Sequence, residues 1–447
     1  MANDATGGIG VLAAFFDDGA YAPLFAEEQS AVSVAYGFAG AQPVYVIRQN
    51  GEALSPHHVD ICCKTLALAA KTGNPVVTFY NSKGSTLQDG QKTLAAAARL
   101  SAAAANLSGV VPQIAVVTGT CGASAALAAA QADLCIVAKS AEFFLTAPEL
   151  SANEGDEVSA AGSAEYAAKA GIAALVCETP EEAAAAAAKL IALLPSNNLS
   201  EAASFEYAEP AAALNLANYT APEAVAAVVD YGSEVEVFAG FGSGISTYLA
   251  TLCGTAVGVV ATNGPEKYFG RNCANKAARF VRLCDAFGLP VLTFVNSAGF
   301  VRSNSEEAAG GLRAAARLAA TYADATTAKV AVIAGRAVGT TYTALANADL
   351  TIALSTAVIS PLEPAAAITI LQRDEINVSG NPIAQETAAR AKAYEQGPAG
   401  AASAMENGLA DFVATPQTLR SVVAGSLDIL VSKQDRRLPK KHGNMPL

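Results

Sequence analysis

Residues 72–84 read TGNPVVTFYNSKG, and residues 287–299 read FGLPVLTFVNSAG. Both stretches give the pattern G-x-P-V-x-T-F-x-N-S-x-G at an offset of 215 positions. Further along the 447-residue chain, residues 114–133 (IAVVTGTCGASAALAAAQAD) match residues 330–349 (VAVIAGRAVGTTYTALANAD) at an offset of 216. Blocks that recur in one order at nearly constant spacing indicate an internal duplication.

The duplication predicts two homologous domains, residues 1–205 and 206–447. In each repeat, an amphipathic helical stretch leads into the short β-branched strand PVVTF or PVLTF. An Ala-rich helix, a second apolar strand, a turn of small residues and a third strand then follow. Strands that alternate with helices predict an α/β fold with largely parallel strand pairing. The predicted helices are 62–72 and 92–105 in the first repeat, and 276–287 and 312–325 in the second.

Composition narrows the class of protein. The chain has 28 Lys and Arg against 40 Asp and Glu, a formal net charge of −12, which argues against non-specific nucleic-acid binding. Charged residues make up only 15% of the chain, and mean hydropathy is +0.31, so we expect an ordered protein with large buried interfaces. No long apolar run predicts a membrane span, and the start, MANDATGGIG, lacks the basic segment of a secretion signal.

Cysteine and histidine usage indicates neither disulfides nor a metal site. The eight cysteines include no C-x-x-C pair, which is typical of buried thiols in a reducing cytoplasm, so we expect a cytoplasmic protein. The adjacent His57 and His58 have no further ligands nearby at metal-binding spacing, and we predict a capping or surface role for them. The sequence also lacks a GxxxxGK[ST] phosphate loop and a GxSxG nucleophile elbow.

Turns of small residues join the second strand of each repeat to a helix. They read GTCGASA at 119–125 and GRAVGTTY at 335–342. The first N–H groups of a helix have no intrahelical partner, and small side chains let a carbonyl oxygen approach them. Such groups can stabilise an oxyanion, although the same residues also suit close strand–helix packing. The N-S-x-G loops at 81–84 and 296–299 follow strand ends, where α/β units bind ligands, but either loop alone also fits a plain turn.

Several segments together resemble the biotin-dependent acyl-CoA carboxyltransferases, the family of propionyl-CoA and acetyl-CoA carboxylase β subunits and of decarboxylase α subunits. Residues 275–300 (NKAARFVRLCDAFGLPVLTFVNSAGF) resemble the heart of the family's second domain. The resemblance runs from about Val11 to Leu447 and implies two tandem crotonase-like domains of the ββα superhelix type. The other similar segments are 108–133 (the first-domain oxyanion segment), 145–150 (LTAPEL), 194–198 (the linker LPSNN) and 439–447 (the ending PKKHGNMPL).

The resemblance implies transfer of a carboxyl group between N1′ of biotin and the α-carbon of a short acyl-CoA. In this family, backbone N–H groups of the first domain stabilise the thioester enolate, and those of the second domain of the opposing protomer hold the biotin ureido oxygen. Biotin itself serves as the base, so no side-chain acid/base pair or metal is required. The implied partners are a separate biotin carboxyl carrier protein, a biotin carboxylase or membrane decarboxylase subunit, and further copies of the chain in a dimer or hexamer.

The same resemblance implies the site residues. The N–H donors lie around Ala123 and Ser124 in the first domain, and around Thr340 and Thr341 in the second. The family usually has Gly-Gly and Gly-Ala at these two places, so we expect the added Cβ atoms to crowd the oxygen pockets and to disfavour a positive φ. The implied substrate-binding residues are Gly84, Gly122, Gly299, Gly339, Tyr342 and Thr343, of which Thr343 matches the position that tunes acyl-chain choice.

Two other functions stay open at this point. The non-glycine residues in both turns favour a catalytically degenerate structural subunit of a biotin-dependent carboxylase or decarboxylase complex. A crotonase-type hydratase or isomerase would need a Glu carboxylate, and neither turn contains one. We therefore predict the carboxyltransferase, with the acyl group and the direction of the reaction left open.

Overall fold

The computed structural model describes residues 7–25, 30–148, 162–435, 437–439 and 444. The chain divides into two compact units. The first unit comprises Met1–Ala203 with Phe238–Phe241, and the second comprises Ser204–Val237 with Gly242–Leu447. Parts of two segments that carry the family resemblance, 149–150 and 440–447 apart from Asn444, lie outside the described residues, as does His442.

The first unit is built on a seven-stranded sheet in the order β1-β2-β3-β4-β5-β7-β9. The first three strands pair antiparallel, and every pairing from β3 onward is parallel. A separate parallel pair joins β6 to β8. The strands are β1 (Tyr21–Leu24), β2 (Val32–Ala39), β3 (Gln42–Gln49), β4 (Val76–Tyr80), β5 (Gln113–Val117), β6 (Thr120–Gly122), β7 (Leu134–Ala138), β8 (Glu142–Phe144) and β9 (Leu175–Cys177). The described helices are α1 (Gly7–Phe15), α2 (Pro56–Thr72), α3 (Lys92–Leu107), α4 (Ser124–Ala130), α5 (Ala164–Lys169) and α6 (Pro180–Leu193), with 3-10 turns at Asp17–Gly19 and Leu87–Asp89.

The second unit repeats this topology. Its seven-stranded sheet has the order β10-β11-β12-β14-β16-β18-β20, again antiparallel over the first three strands and parallel afterwards. Two short parallel pairs, β13 with β15 and β17 with β19, accompany it. The strands are β10 (Val235–Val237), β11 (Ile245–Leu252), β12 (Thr255–Thr262), β13 (Gly264–Phe269), β14 (Val291–Val295), β15 (Ser297–Phe300), β16 (Lys329–Ile333), β17 (Arg336–Val338), β18 (Leu350–Leu354), β19 (Val358–Ser360) and β20 (Phe412–Ala414).

The helices of the second unit follow the same order, with an added group after β19. The described ones are α7 (Ala221–Ala226), α8 (Arg271–Ala286), α9 (Asn304–Ala308), α10 (Gly311–Asp324), α11 (Thr340–Leu345), α12 (Pro364–Leu371), α13 (Arg373–Val378), α14 (Ile383–Gln396), α15 (Ala401–Glu406) and α16 (Leu419–Leu430), with a 3-10 turn at Leu216–Asn218. Among the residues that the structure describes, no helix is long and apolar enough to cross a lipid bilayer.

Local sequence explains where the repeated helix α2 begins and ends. The Ser55 hydroxyl accepts a hydrogen bond from the backbone N–H of His58, and His58 Nδ1 accepts one from the Ser55 N–H at 3.1 Å. This reciprocal cap satisfies two N–H groups that the helix leaves unpaired. The helix ends at Gly73, whose φ of 67° suits glycine. His58 therefore has the capping role that the sequence predicts.

The central parallel strands are buried on both faces, because helices cover the sheet in each unit. Each of β5, β7, β14 and β16 is buried along its whole length. Such strands read as continuous apolar runs rather than as alternating ones. The predicted α/β class with parallel pairing is confirmed, and the C-terminal ends of β4, β5, β14 and β16 bring the N-S-x-G loops and the small-residue turns to the same edge of each sheet.

Candidate functional site

The small-residue turn has nearly the same backbone in both units. Ala123 joins β6 to α4 with φ 52° and ψ −121°, and Gly339 joins β17 to α11 with φ 56° and ψ −125°. The two residues also correspond at the 216-residue offset of the repeat. Ala123 is thus the structural counterpart of Gly339, so each turn contains one residue in a conformation that favours glycine.

Ala123 has a positive φ although its Cβ atom disfavours that conformation, so the replacement of glycine does not exclude it. The Ala123 N–H donates to the carbonyl of Phe144 at 3.1 Å, and the Ala123 carbonyl accepts from the N–H of Leu127 at 3.0 Å. These two bonds tie the residue to β8 on one side and to α4 on the other. A strained backbone persists where the surrounding structure determines it, and such residues cluster at functional sites.

The donors that each turn can offer begin one residue later. The N–H of Ala123 is used by Phe144, and the N–H of Gly339 donates to the carbonyl of Ser360 at 2.9 Å. The first N–H groups of the two helices belong to Ser124 and Thr340, and such groups lack intrahelical partners. Of the predicted donor residues, Ser124, Thr340 and Thr341 therefore lie at helix starts, whereas the Ala123 N–H is already bound within the strand pair.

The side chains of the four predicted donor residues point to different places. Ala123, Ser124 and Thr340 are exposed. Thr341 is fully buried, and its hydroxyl has no hydrogen-bond partner among the described residues. It faces β15, where a Cβ added to Gly299 would lie 3.7 Å from Thr341 Oγ1. The Thr341 side chain thus packs into the second unit.

Besides Gly339, three glycines are predicted site residues, and they have two different structural roles. Gly84 (φ 98°) and Gly299 (φ 115°) occupy equivalent loop positions, and each N–H donates at 3.1 Å to the serine hydroxyl two residues earlier. Gly122 serves packing, because a Cβ there would lie 2.4 Å from the Phe144 ring.

Tyr342 and Thr343 follow the second turn on α11. The Tyr342 hydroxyl donates to the Leu409 carbonyl at 3.0 Å, and burial followed by the charge of Asp411 raises the pKa of Tyr342. Thr343 is exposed, and its hydroxyl lies 3.5 Å from the Gly339 carbonyl. Thr343 is therefore the side chain of this pair that remains accessible beside the second turn.

Each N-S-x-G loop lies beside the turn of its own unit. In the first unit, the Ser82 N–H donates to the Thr120 carbonyl at 2.9 Å. In the second, the side-chain oxygen of Asn296 accepts from the Arg336 N–H at 3.0 Å. The structure therefore brings together, within each unit, the two segments that the sequence separates by more than thirty residues.

A charged cluster supports the second turn. The Arg336 guanidinium contacts Glu363 at 2.9 Å and Glu395 at 3.0 Å. Although partial burial opposes protonation, these two carboxylates raise the pKa of Arg336. At the equivalent place in the first unit, the Thr120 hydroxyl donates to Glu142 at 3.0 Å. Sequence reasoning missed this cluster, and the Thr-to-Arg difference between the repeats was the available signal.

Metal-ligating side chains do not gather at either turn. Within the part of the chain that the structure describes, no group of three or more His, Cys, Asp or Glu could hold a metal ion. The described chemistry at the turns is hydrogen-bond donation by backbone N–H groups, flanked by hydroxyls.

Two units of this topology, each with a donor-bearing turn at the end of a parallel sheet, define a tandem crotonase-like protein. The chain belongs to the carboxyl transferase family, since the family profile described as "Carboxyl transferase domain" matches residues 28–445. This match confirms the resemblance seen in the sequence.

Curated relatives and solved structures agree with this assignment. The chain is 30% identical over 478 residues to the methylmalonyl-CoA decarboxylase subunit alpha of Veillonella parvula, covering 98% of this chain and 92% of that one. It is 31% identical over 404 residues to the methylmalonyl-CoA carboxyltransferase 12S subunit of Propionibacterium freudenreichii subsp. shermanii, covering 86% and 77%. A transcarboxylase 12S crystal structure, a hexamer with methylmalonyl-coenzyme A and methylmalonic acid bound, matches with a TM-score of 0.90 at 27% identity, covering 98% and 91%.

Proposed function

We propose that this chain is the carboxyltransferase subunit of a biotin-dependent acyl-CoA carboxylase or decarboxylase. It moves a carboxyl group between biotin, held on a separate carrier protein, and the α-carbon of a short acyl-CoA. The observation that carries the proposal is the match over 98% of the chain to a transcarboxylase core whose structure contains methylmalonyl-coenzyme A.

The first turn supplies the chemistry for the acyl-CoA. When a thioester loses or gains its α-carboxyl group, negative charge develops on the thioester oxygen. In this proposal the Ser124 N–H, at the start of α4, donates to that oxygen, and the exposure of the Ala123 and Ser124 side chains supports access to it. Preorganised donors of this kind stabilise developing charge without reorganising during the reaction.

The second turn fits the ureido oxygen of biotin by the same chemistry. A ureido carbonyl is a neutral acceptor, and the N–H groups of Thr340 and Thr341 begin α11. Biotin, when bound, supplies the nitrogen that carries the carboxyl group and the base for the α-carbon. The contribution of the chain is to hold the ureido oxygen and to orient that nitrogen, so it needs no side-chain acid.

Exposed apolar side chains support assembly of several copies. In the first unit, four leucines between residues 87 and 145 are at least half exposed: Leu87, Leu94, Leu127 and Leu145. In the second, the helices after β19 expose Ile370, Leu371, Val378 and Ile383. Contiguous exposed apolar surface is typical of protein–protein interfaces. We propose a dimer or hexamer, and sedimentation showing only monomers at micromolar concentration would contradict it.

The function is tested by binding and by carboxyl transfer. Calorimetry with acetyl-, propionyl- and methylmalonyl-CoA should show micromolar binding of at least one of them. Adding a biotinylated carrier protein and a labelled carboxyl donor should then give transfer of the label. If none of the three thioesters binds, with the carrier also present, the structural-subunit alternative becomes the better account.

A further inference from the structure

A buried asparagine ties together three strand ends beside the second turn. Asn296 is 5% exposed, and its side-chain oxygen accepts a hydrogen bond from the Arg336 N–H at 3.0 Å. Its backbone N–H donates to the Thr262 hydroxyl at 2.7 Å, and that hydroxyl donates back to the Asn296 carbonyl at 2.8 Å. The ends of β12 and β14 are thereby joined to the start of β17. We call Thr262, Asn296 and Arg336 the clasp.

A glycine makes room for the clasp. A Cβ added to Gly335 would lie 2.3 Å from the side-chain oxygen of Asn296, a separation that real Cβ atoms do not show. The side-chain amide of Asn296 therefore lies against the backbone of Gly335. The next residue is Arg336, whose N–H donates to the Asn296 oxygen. Asn296 thus contacts the backbone where β17 begins.

The clasp is connected to the donors through a short segment that is hydrogen-bonded at both ends. β17 pairs in parallel with β19, and Gly339 donates to Ser360 at its end. The Arg336 side chain is held as well, by Glu363 and Glu395. Arg336 is therefore fixed at its backbone and at its guanidinium, and the helix with the donor N–H groups starts four residues after it.

Among the described residues of the first unit, no side-chain bond of this kind is found. Thr120 replaces Arg336, and β6 is joined to the N-S-x-G loop by a backbone bond from Ser82 to the Thr120 carbonyl at 2.9 Å. The side chain of Asn81 does lie against Gly119, where a Cβ would be 2.2 Å from its oxygen. The asparagine–glycine contact is thus shared by the repeats, whereas the bond from the asparagine oxygen to Arg336 belongs to the second.

We propose that Asn296 is a positioning residue for the second turn: its amide oxygen fixes Arg336 and, through β17, the N–H groups of Thr340 and Thr341. The inference rests on the proposed function for its effect on catalysis. Small misplacements of a positioned group reduce rates by up to about a hundredfold. Removing the acceptor should therefore slow transfer while leaving acyl-CoA binding, assigned to the other turn, unchanged.

The test compares three variants of the full chain. Asn296→Ala removes the acceptor, Asn296→Asp keeps an acceptor oxygen, and Asn407→Ala is the control. Asn407 is exposed, and among the described residues its side-chain amide bonds only to Ser403, one turn back in α15. For each variant we would measure amide hydrogen exchange of the peptide 336–343, thermal unfolding, and transfer kinetics at a temperature where the protein is fully folded.

The expected result is specific to the second turn. Asn296→Ala should raise exchange of the 336–343 amides at least tenfold and lower kcat about tenfold, with KM for the acyl-CoA unchanged. Asn296→Asp should restore the exchange protection, and Asn407→Ala should match the natural protein. Unchanged exchange in Asn296→Ala, or loss of kcat only in step with loss of folded protein, would overturn the inference.

The hydrogen-exchange measurement separates this inference from the proposed function. If the natural protein transfers no carboxyl group, the proposed function fails. The exchange of the 336–343 amides still shows whether Asn296 fixes the turn, because it needs no substrate. If the natural protein is active and Asn296→Ala retains full kcat, only the positioning role fails.

Discussion

The two turns reach the same backbone by different means. In the first unit an alanine, Ala123, takes the conformation that glycine has in the second, Gly339. In the second turn the residue with positive φ is a glycine, which adopts it without strain. That turn also has more side-chain contacts: Asn296 accepts from the Arg336 N–H, and two carboxylates contact the Arg336 guanidinium. The comparison teaches that strain and support can be exchanged between repeats while the position of the N–H donors is kept.

Removing a donor tests the comparison most strongly. Thr340 is the first residue of α11, a position where proline fits because its N–H has no helical partner. Thr340→Pro should lower kcat by about 10²–10³, the usual cost of one oxyanion-type donor. Thr340→Ala, which retains the N–H, is the matched control and should stay within a few-fold of the natural rate. Equal activity of the two variants in a transfer assay would show that this N–H is not used.

The ion pairs beside the second turn can be removed by a single substitution. Arg336→Thr copies Thr120 and leaves Glu363 and Glu395 without their shared cation. Because these side chains are about 30% exposed, we expect a loss of about 1–2 kcal/mol in the free energy of unfolding, below the cost for a fully buried pair. Urea denaturation measures it. The control is Lys139→Thr, which removes a solvent-exposed pair with Glu178 and should leave the free energy of unfolding nearly unchanged.

Replacing Ala123 by glycine and Gly339 by alanine should reverse which of the two turns has the strained backbone. Ala123→Gly should stabilise the protein by about 1 kcal/mol, because the left-handed region is unfavourable for a residue with a Cβ. Gly339→Ala should destabilise it by about 1–2 kcal/mol, since its Cβ would also lie 3.0 Å from the Pro361 carbonyl. Thermal unfolding of both variants gives the signs. A loss of stability in Ala123→Gly would contradict the assignment of strain to the first turn.

The smallest effect concerns the buried hydroxyl of Thr341. Thr341→Val has nearly the same shape and removes an unpartnered polar group, so we expect a gain of up to about 1 kcal/mol in unfolding free energy. Transfer activity should not change, because the side chain packs toward Gly299 and the backbone N–H is retained. Thr341→Ser, which keeps the hydroxyl, should show no gain. A large fall in kcat for Thr341→Val would place this side chain in the reacting site.

Much of the fold could be predicted because the same pattern of strands and helices occurs in both repeats. The strands PVVTF and PVLTF and the Ala-rich helices lie where the pattern places them, as β4, β14, α3 and α10. The short pairs β6 with β8 and β17 with β19 could not be predicted, since three-residue strands carry no periodicity. The same limit hid the bonds that fix Ala123, whose partner carbonyl belongs to β8.

The site was predictable at the level of the turns but not of their support. Glycine and small residues indicate a backbone site from local sequence alone. The partners of Arg336 lie 27 and 59 positions away, so their approach depends on how the helices after β19 pack. Positive φ at Ala123 was hidden for another reason: local preference opposes it, and only the surrounding hydrogen bonds impose it.

The brevity of α4 and α11, seven and six residues, has a consequence for how occupancy would be detected. Helices this short form only marginally by themselves. The first N–H groups of each helix have no carbonyl acceptor from a preceding turn. A ligand carbonyl oxygen that accepts from them stabilises the helix as a capping residue does. Ligand binding and helix formation are then coupled, so that occupancy of the N-terminus reduces fraying of the whole helix. The end of the helix remote from the ligand becomes a reporter: amide resonances at Ala130 and Leu345 should sharpen on saturation, without either residue touching the ligand.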